Sequence, residues 1–397
     1  ELKLTTNSEA PGGPVSASVS VARVQKRTEG NERTWTSEPT LKEVLLLCVV
    51  CYALYLLVLA LLGNYWHLFK TFGDNQPYVR IAEAIRSWNF GLIKEWQFFG
   101  LPYVMVAFSF ATHTSYWTAI LSLSVISAFV ATSISQRLWG GWVAGIFAVC
   151  SREWMERALI GGAEPLFLAL VFGSFLAARR DKWLLAASLA ASSAVVRPMG
   201  IFALVALGIV LLIRGQYKKF VAACFVGGAI GTLYVLPLKL YMGSPLANVK
   251  AYGAADGSGG RPLTLPFYAL LQNQMPQLST NLNVARASFW IVLVLLGIAA
   301  TFRNERFREY ARKYLVESIF CALYVGLLFT YNSPWARIAF PRYVIPVIPF
   351  IFVALLPWLP KDRRFLWAFG LLSAFLSAAE TYGFTSTVER LRQILYQ

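Results

Sequence analysis

Asp74 stands in Gly73-Asp74-Asn75-Gln76-Pro77-Tyr78, a polar turn that follows a long apolar run. A carboxylate there can take a proton from a hydroxyl at a membrane surface, as a general base does. It can equally cap the helix that begins near Pro77. Glu164 precedes Pro165 in Gly161-Gly162-Ala163-Glu164-Pro165. An ionised acid at the mouth of an apolar helix is costly unless it is paired or used, although it also complements the helix dipole. Arg197 in Val196-Arg197-Pro198 and Arg342 in Pro341-Arg342-Tyr343 sit at comparable helix mouths. Guanidinium groups there can clamp a phosphate in a two-pronged geometry or snorkel to lipid headgroups.

The elements that carry these residues are apolar helices. The 397 residues are 57% hydrophobic and only 14% charged, with a mean hydropathy of +0.54. A soluble globular domain carries about a quarter charged residues. Runs long enough to cross hydrocarbon, about 20 helical residues, recur along the chain. The reading is an all-α, polytopic transmembrane helical bundle of about eleven spans. They are Val44–Leu62, Tyr116–Ser135, Gly141–Cys150, Pro165–Ala178, Trp183–Val196, Pro198–Ile213, Phe220–Leu238, Phe289–Phe302, Leu315–Tyr331, Tyr343–Pro357 and Phe365–Ala379. Residues 1–40, with five basic and five acidic side chains and much Ser, Thr, Pro and Gly, read as a disordered cytoplasmic tail. Residues 41–397 form the membrane domain.

The net charge of +16 belongs to that domain. Its cations gather as short clusters between apolar spans, which suits anionic headgroups and argues against nucleic acid. Arg179 with Lys182, Arg214 with Lys218 and Lys219, the cluster from Arg303 to Lys313, and Lys361 with Arg363 fall in alternate loops. The positive-inside rule places them and the N-terminus in the cytoplasm. The opposite side receives two large loops, about 63–115 and 239–288, together with Ser151–Glu164, the Arg197-Pro198 turn and Asn332–Arg342. The outward acids on this threading are Asp74, Glu83, Glu95, Glu153, Glu156, Glu164, Asp256, Glu380 and Glu389. In the first large loop, Ile81, Ile85, Trp88 and Leu92 recur at helical spacing while Arg80, Glu83 and Lys94 fall away. That pattern predicts an interfacial helix with its apolar face down. The stretch Gly253–Gly260 in the second loop reads as mobile.

Cys48 and Cys51 have redox-motif spacing but lie in an uncharged run, where cysteine packs as a small hydrophobe. With only His67 and His113 in the chain, a His-rich zinc site is excluded.

Taken in order, the acid after the first span with a following aromatic and Arg (Asp74, Tyr78, Arg80), Ala163-Glu164-Pro165-Leu166-Phe167, Val196-Arg197-Pro198-Met199-Gly200, and Arg342-Tyr343 followed by Pro346 and Pro349 resemble the GT-C superfamily of membrane glycosyltransferases. Its members include polyprenyl- and dolichyl-phosphate-sugar-dependent mannosyltransferases and aminoarabinose transferases. The resemblance covers about residues 41–380. It implies a GT-C-like fold and an inverting transfer from a polyprenyl-phosphate sugar to a hydroxyl of a lipid, glycan or protein, on the periplasmic or luminal face of an inner, plasma or ER membrane. It implies Asp74 as the catalytic residue, with Tyr78, Arg80, Glu164, Arg197, Arg342 and Tyr343 around the substrates. The adjacent acid pair found after the first helix in some members is missing. That sets the chain apart from the metal-dependent branch; no cofactor is implied outright, and a divalent metal, its ligands unknown, is the alternative. A lipid-linked glycan transporter would place polar residues at mid-membrane, and an O-antigen-ligase-like transferase would use outer Arg and His; both are the alternatives to the transferase.

Overall fold

The computed structural model describes residues 37–63, 65, 69–70, 74–93, 97–255, 263–272, 281–333 and 336–395. Most of the 1–40 tail, His67, Glu95, Asp256 and much of the Gly253–Gly260 stretch lie outside the described residues. Ser37–Thr40, the end of that tail, are held in place: Arg363 donates to the Ser37 and Glu38 carbonyls, and Glu38 accepts the Gly141 N–H at 2.8 Å.

The chain is all-helical, and among the described residues the only β pairing is an isolated bridge between Leu263 and Tyr331. In chain order the helices are α1 (Leu41–Leu61), α2 (Asn75–Arg86), α3 (Gly100–Thr112), α4 (Tyr116–Trp139), α5 (Gly141–Val149), α6 (Arg152–Leu159), α7 (Glu164–Arg179), α8 (Trp183–Val196) and α9 (Ile201–Ile213). They continue as α10 (Tyr217–Met242), α11 (Ala247–Ala255), α12 (Tyr268–Leu271), α13 (Asn281–Arg303), α14 (Glu305–Lys313), α15 (Leu315–Thr330), α16 (Ala336–Tyr343), α17 (Ile348–Leu355) and α18 (Arg363–Leu395).

Among the described residues, six stretches are long and apolar enough to cross a membrane: α1, α4, α10, the described body of α13, Ala336–Trp358 and Arg363–Gly383. Two further spans arise if the bent pairs α6–α7 and α14–α15, turned by 104° and 107°, each count as one. The chain is therefore a multi-pass membrane protein with six to eight candidate spans. The count of eleven treats shorter helices such as α5 and α8 as spans. With nine and 14 residues, they reach only about 14 and 21 Å at 1.5 Å per residue.

Packing within lipid gains nothing from expelling water, so close helix contact relies on small residues. The α4–α7–α8 core follows that rule. Helix α4 buries Ser124, Ala128, Ala131 and Ser135 along one stripe, and α8 buries Ala186, Ala187, Ala190 and Ala191. Helix α3 crosses α8 so closely that a Cβ on Gly100 would lie 2.6 Å from the backbone of Val195 and Val196. Cys48 and Cys51 are free and buried in α1 against the core.

A helix, α2, stands where the sequence predicts one; Ile81 and Ile85 are buried together with Phe99 and Leu238 of the protein, while Arg80 and Glu83 are exposed. Trp88 departs from the expected face. The helix ends at Arg86, Trp88 takes a left-handed φ of 52°, and its side chain is exposed. The two large loops are joined, since Asn248 on α11 donates to the Gln97 carbonyl at 2.8 Å.

Candidate active site: two carboxylates and three guanidiniums

Helix α6 is the pivot. At 100° per residue, Arg152, Glu156, Glu153 and Arg157 sweep one arc, while Trp154, Met155, Ala158 and Leu159 occupy the opposite side and are buried. Trp154 fixes the rotation by donating its indole N–H to the Tyr52 hydroxyl at 2.9 Å, and that hydroxyl donates to the Ala148 carbonyl at 3.2 Å. The chain then turns through Gly161-Gly162 into α7. Gly161 has φ +113°, a value L side chains rarely adopt, and a Cβ there would meet Asn75 at 2.8 Å. At Gly162 a Cβ would strike Arg157 and Glu164 at 2.8 and 2.9 Å. Ser124 holds this turn, its hydroxyl lying 3.2 Å from both the Gly162 N–H and the Gly162 carbonyl. The sharp bend brings Arg157 and Glu164 to 4.0 Å.

Around that bend the distant motifs converge. Arg197 ends α8 in an extended conformation, φ −145° and ψ 136°, as the following Pro198 demands; its side chain then reaches Glu164. Arg342, in the last turn of α16, bridges both acids: Nε donates to Glu164, and Nη2 donates to Asp74 at 2.7 Å. Arg157 donates to the same Asp74 oxygen at 3.1 Å. Glu164 is only 3% exposed. Tyr78 is buried on α2, where the charges of Asp74, Glu164, Arg197 and Arg342 all act on its hydroxyl.

These contacts bear on the capping and snorkelling readings of the sequence. Asp74 occupies the N-cap position of α2, but its side chain makes no capping hydrogen bond; it serves the arginines instead. Arg197 and Arg342 do not snorkel away, since both are largely covered and ion-paired inward. Arg80, two residues beyond Tyr78 and so on the opposite face of α2, is exposed outside this group. Tyr343 packs edge-on against Tyr331, ring centres 5.7 Å apart. Arg157 went unremarked in the sequence, although its Gly161-Gly162 neighbours signalled a tight turn beside it.

Burial pushes the Asp74 carboxyl up, and the guanidinium groups of Arg342 and Arg157 more than reverse that, leaving it below the usual carboxylate range. Burial, then the negative charges of Asp74 and Glu164, push the Tyr78 hydroxyl above its ordinary value, so it stays neutral.

A second charged group continues around α6. Arg152 lies 3.6 Å from Glu153, 3.3 Å from Glu156 and 3.6 Å from Glu380 on α18. Arg286 on α13 lies 2.8 Å from Glu153 and pairs with Glu380. The first group sums to +1, two carboxylates against three guanidiniums. The second sums to −1, three carboxylates against two guanidiniums. A single short helix thus separates a cationic end from an anionic end. Among the described residues no group of three or more His, Cys, Asp or Glu is placed to hold a metal ion.

Beside the cationic end, a cavity of about 730 Å³ opens between α2, α3, α7, α8 and α10. Leu166, Leu170, Val195, Val196, Leu233 and Pro237 contribute to its largely apolar wall. Leu166 and Val196 of this wall lie on the helices that begin at Glu164 and end before Arg197, and none of the five charged residues of the first group contributes to the lining.

In comparisons with known proteins, no family model matches the chain and no curated protein matches it.

Proposed function

We propose that this chain is a membrane glycosyltransferase of the GT-C type, moving a sugar from a polyprenyl-phosphate donor to a hydroxyl acceptor with inversion. The observation that carries the reading is the cluster of three arginines on two covered carboxylates, carried in part by helices that also wall an apolar cavity. A polyprenyl-phosphate sugar has an apolar tail, an anionic phosphate and a polyhydroxyl head, in that order. The cavity suits the tail, and Arg197 and Arg342 suit the phosphate. Asp74 and Glu164 then stand where the sugar and the attacking hydroxyl meet.

In the reaction, Asp74 takes the proton of the acceptor hydroxyl as its oxygen bonds to the anomeric carbon. The bond from that carbon to the phosphate oxygen breaks on the opposite face, and the departing phosphate keeps the electron pair. Preorganised guanidinium groups meet the charge as it develops. With both Arg157 and Arg342 on its carboxylate, Asp74 is a weak base. A donor phosphate that shares those guanidiniums loosens them from Asp74 and raises its basicity, so donor binding prepares the base. The anionic end, with Glu153, Arg286 and Glu380, suits a hydroxyl-rich acceptor, because carboxylates accept hydrogen bonds from its hydroxyls. The orientation that follows places this site on the periplasmic or luminal face, with the basic loops in the cytoplasm.

A groove-filling variant tests the reading. Leu170→Trp narrows the cavity without touching the charged residues. Turnover of a long-chain polyprenyl-phosphate sugar should fall several-fold while a short-chain phosphate sugar is spared. Equal loss for both donors would contradict a tail in the cavity.

A further inference from the structure

At the far ends of α7 and α8 from the carboxylate–arginine site lies a separate pocket of about 450 Å³. It lies at the hairpin between α7 and α8 and the start of α10, and Lys182, Lys218, Lys219 and Trp183 contribute to its lining. A smaller cavity of about 220 Å³ shares Trp183 and adds Arg214 and Lys313. Trp183 is buried, with Arg214 and Lys219 poised over its ring at 5.7 and 5.6 Å. The charge is one-sided. The Arg179 charge is matched by Glu317, which accepts two of its hydrogen bonds at 2.5 and 2.8 Å. That leaves Lys182, Lys218, Lys219, Arg214 and Lys313 against Asp181 alone, five cations to one carboxylate. Asp181 is already engaged, accepting the Trp183 indole N–H and lying 3.4 Å from Lys219. Lys182 and Lys218 have no acidic partner among the described residues.

We propose that this pocket holds the headgroup of an anionic phospholipid of the surrounding bilayer. The phosphate sits among Lys182, Lys218 and Lys219 on the Trp183 ring, an interfacial residue type with one apolar and one wet edge. What separates a phospholipid from a soluble phosphate is the wall that leads away from the pocket. Leu184 and Leu185 line it at 55% and 49% exposure, and on α10, which also contributes to the pocket, Val221 and Phe225 are 50% and 76% exposed. Acyl chains find exposed apolar side chains on both helices, which inorganic phosphate cannot use. A zwitterionic headgroup brings its own ammonium against the lysines, so anionic lipid is selected. This site stands apart from the proposed transfer reaction and does not depend on it.

The test uses the full chain in mild detergent, offered phosphatidylglycerol and phosphatidylcholine of matched acyl chains at equal mole fraction, with bound lipid read by native mass spectrometry. One phosphatidylglycerol should be retained about tenfold more often than phosphatidylcholine, and the preference should vanish in Lys182→Ala/Lys218→Ala. In parallel, lysine acetylation of the unaltered protein in nanodiscs should show Lys182, Lys218 and Lys219 protected in phosphatidylglycerol and reactive in phosphatidylcholine, a readout that needs no variant to fold. Equal retention of the two lipids, an unchanged preference in the variant, or the same lysine protection from inorganic phosphate in phosphatidylcholine nanodiscs would each overturn the proposal.

Discussion

Asp74 accepts a hydrogen bond from Arg342 at 2.7 Å, although 268 residues separate them in the chain. Arg342 also reaches Glu164, so one side chain ties the turn after α1 to the start of α7. A planar guanidinium can bridge two carboxylates in this way from fixed, separate N–H groups; an ammonium lacks that planar fork.

The pairing sets the cost of removing Asp74. Asp74→Asn takes a charge from a covered cluster and leaves Arg157 and Arg342 undercompensated, which costs about 3–5 kcal/mol for a buried pair. Asp74→Asn/Arg157→Gln restores the net charge of the group. The double variant should melt closer to the parent than Asp74→Asn does, measured by thermal unfolding in detergent. A double variant less stable than the single one would mean that the two side chains are not coupled.

Arg342→Lys and Arg197→Lys keep the charge but lose the fork. Each should raise the apparent KM for the polyprenyl-phosphate donor on the order of tenfold, the equivalent of one charge-assisted hydrogen bond at about 1.5 kcal/mol, with the acceptor KM little changed. Steady-state kinetics with each substrate varied in turn distinguishes this from a general loss of fold. An unchanged donor KM in both variants would remove the clamp.

The depressed Asp74 carboxyl links stability to pH. Its folded pKa lies below that of the unfolded chain, about 3.9. Its contribution is therefore fully present above the unfolded value and is lost as pH falls through the lower folded value. Melting temperature followed from pH 6 downward should drop more steeply for the parent than for Asp74→Asn, which has no such proton to take up. Parallel curves would contradict an ionised, paired Asp74.

Much of this site was legible because its residues interrupt apolar runs. An acid or an arginine beside proline at a helix mouth is conspicuous in a chain with 14% charged residues, and Asp74, Glu164, Arg197 and Arg342 do meet. Arg157 and the second charged group were not. Ser151–Glu164 read as a short loop, yet it contains α6, whose eight residues are too few to show a periodic pattern and whose charged arc faces inward. The pairing of Arg286 with Glu380, 94 residues apart, depends on how α13 and α18 pack, which local pattern does not specify. Arg80 lies on the other face of its helix from Tyr78, which proximity to Asp74 in sequence does not specify. Helix existence followed from hydropathy nearly everywhere. Span number is harder to read from hydropathy, because sharp breaks such as the Gly161-Gly162 turn split one candidate span into two bent helices.

The central claim is that Asp74 is the base of a sugar transfer from a lipid phosphate, and turnover in the charge-compensated background tests it most directly. Purified parent, Arg157→Gln and Asp74→Asn/Arg157→Gln are each given a panel of polyprenyl-phosphate sugars with membrane lipid extract as acceptor, and the mass of the product is read. The parent should yield a product heavier than an acceptor by one sugar. Arg157→Gln should keep measurable turnover, and the double variant should lose about 10²–10⁴-fold relative to it, the span of a general base's contribution, while melting near the parent. Turnover in the double variant equal to that of Arg157→Gln, or no sugar-bearing product from the parent with any donor of the panel, would contradict the account.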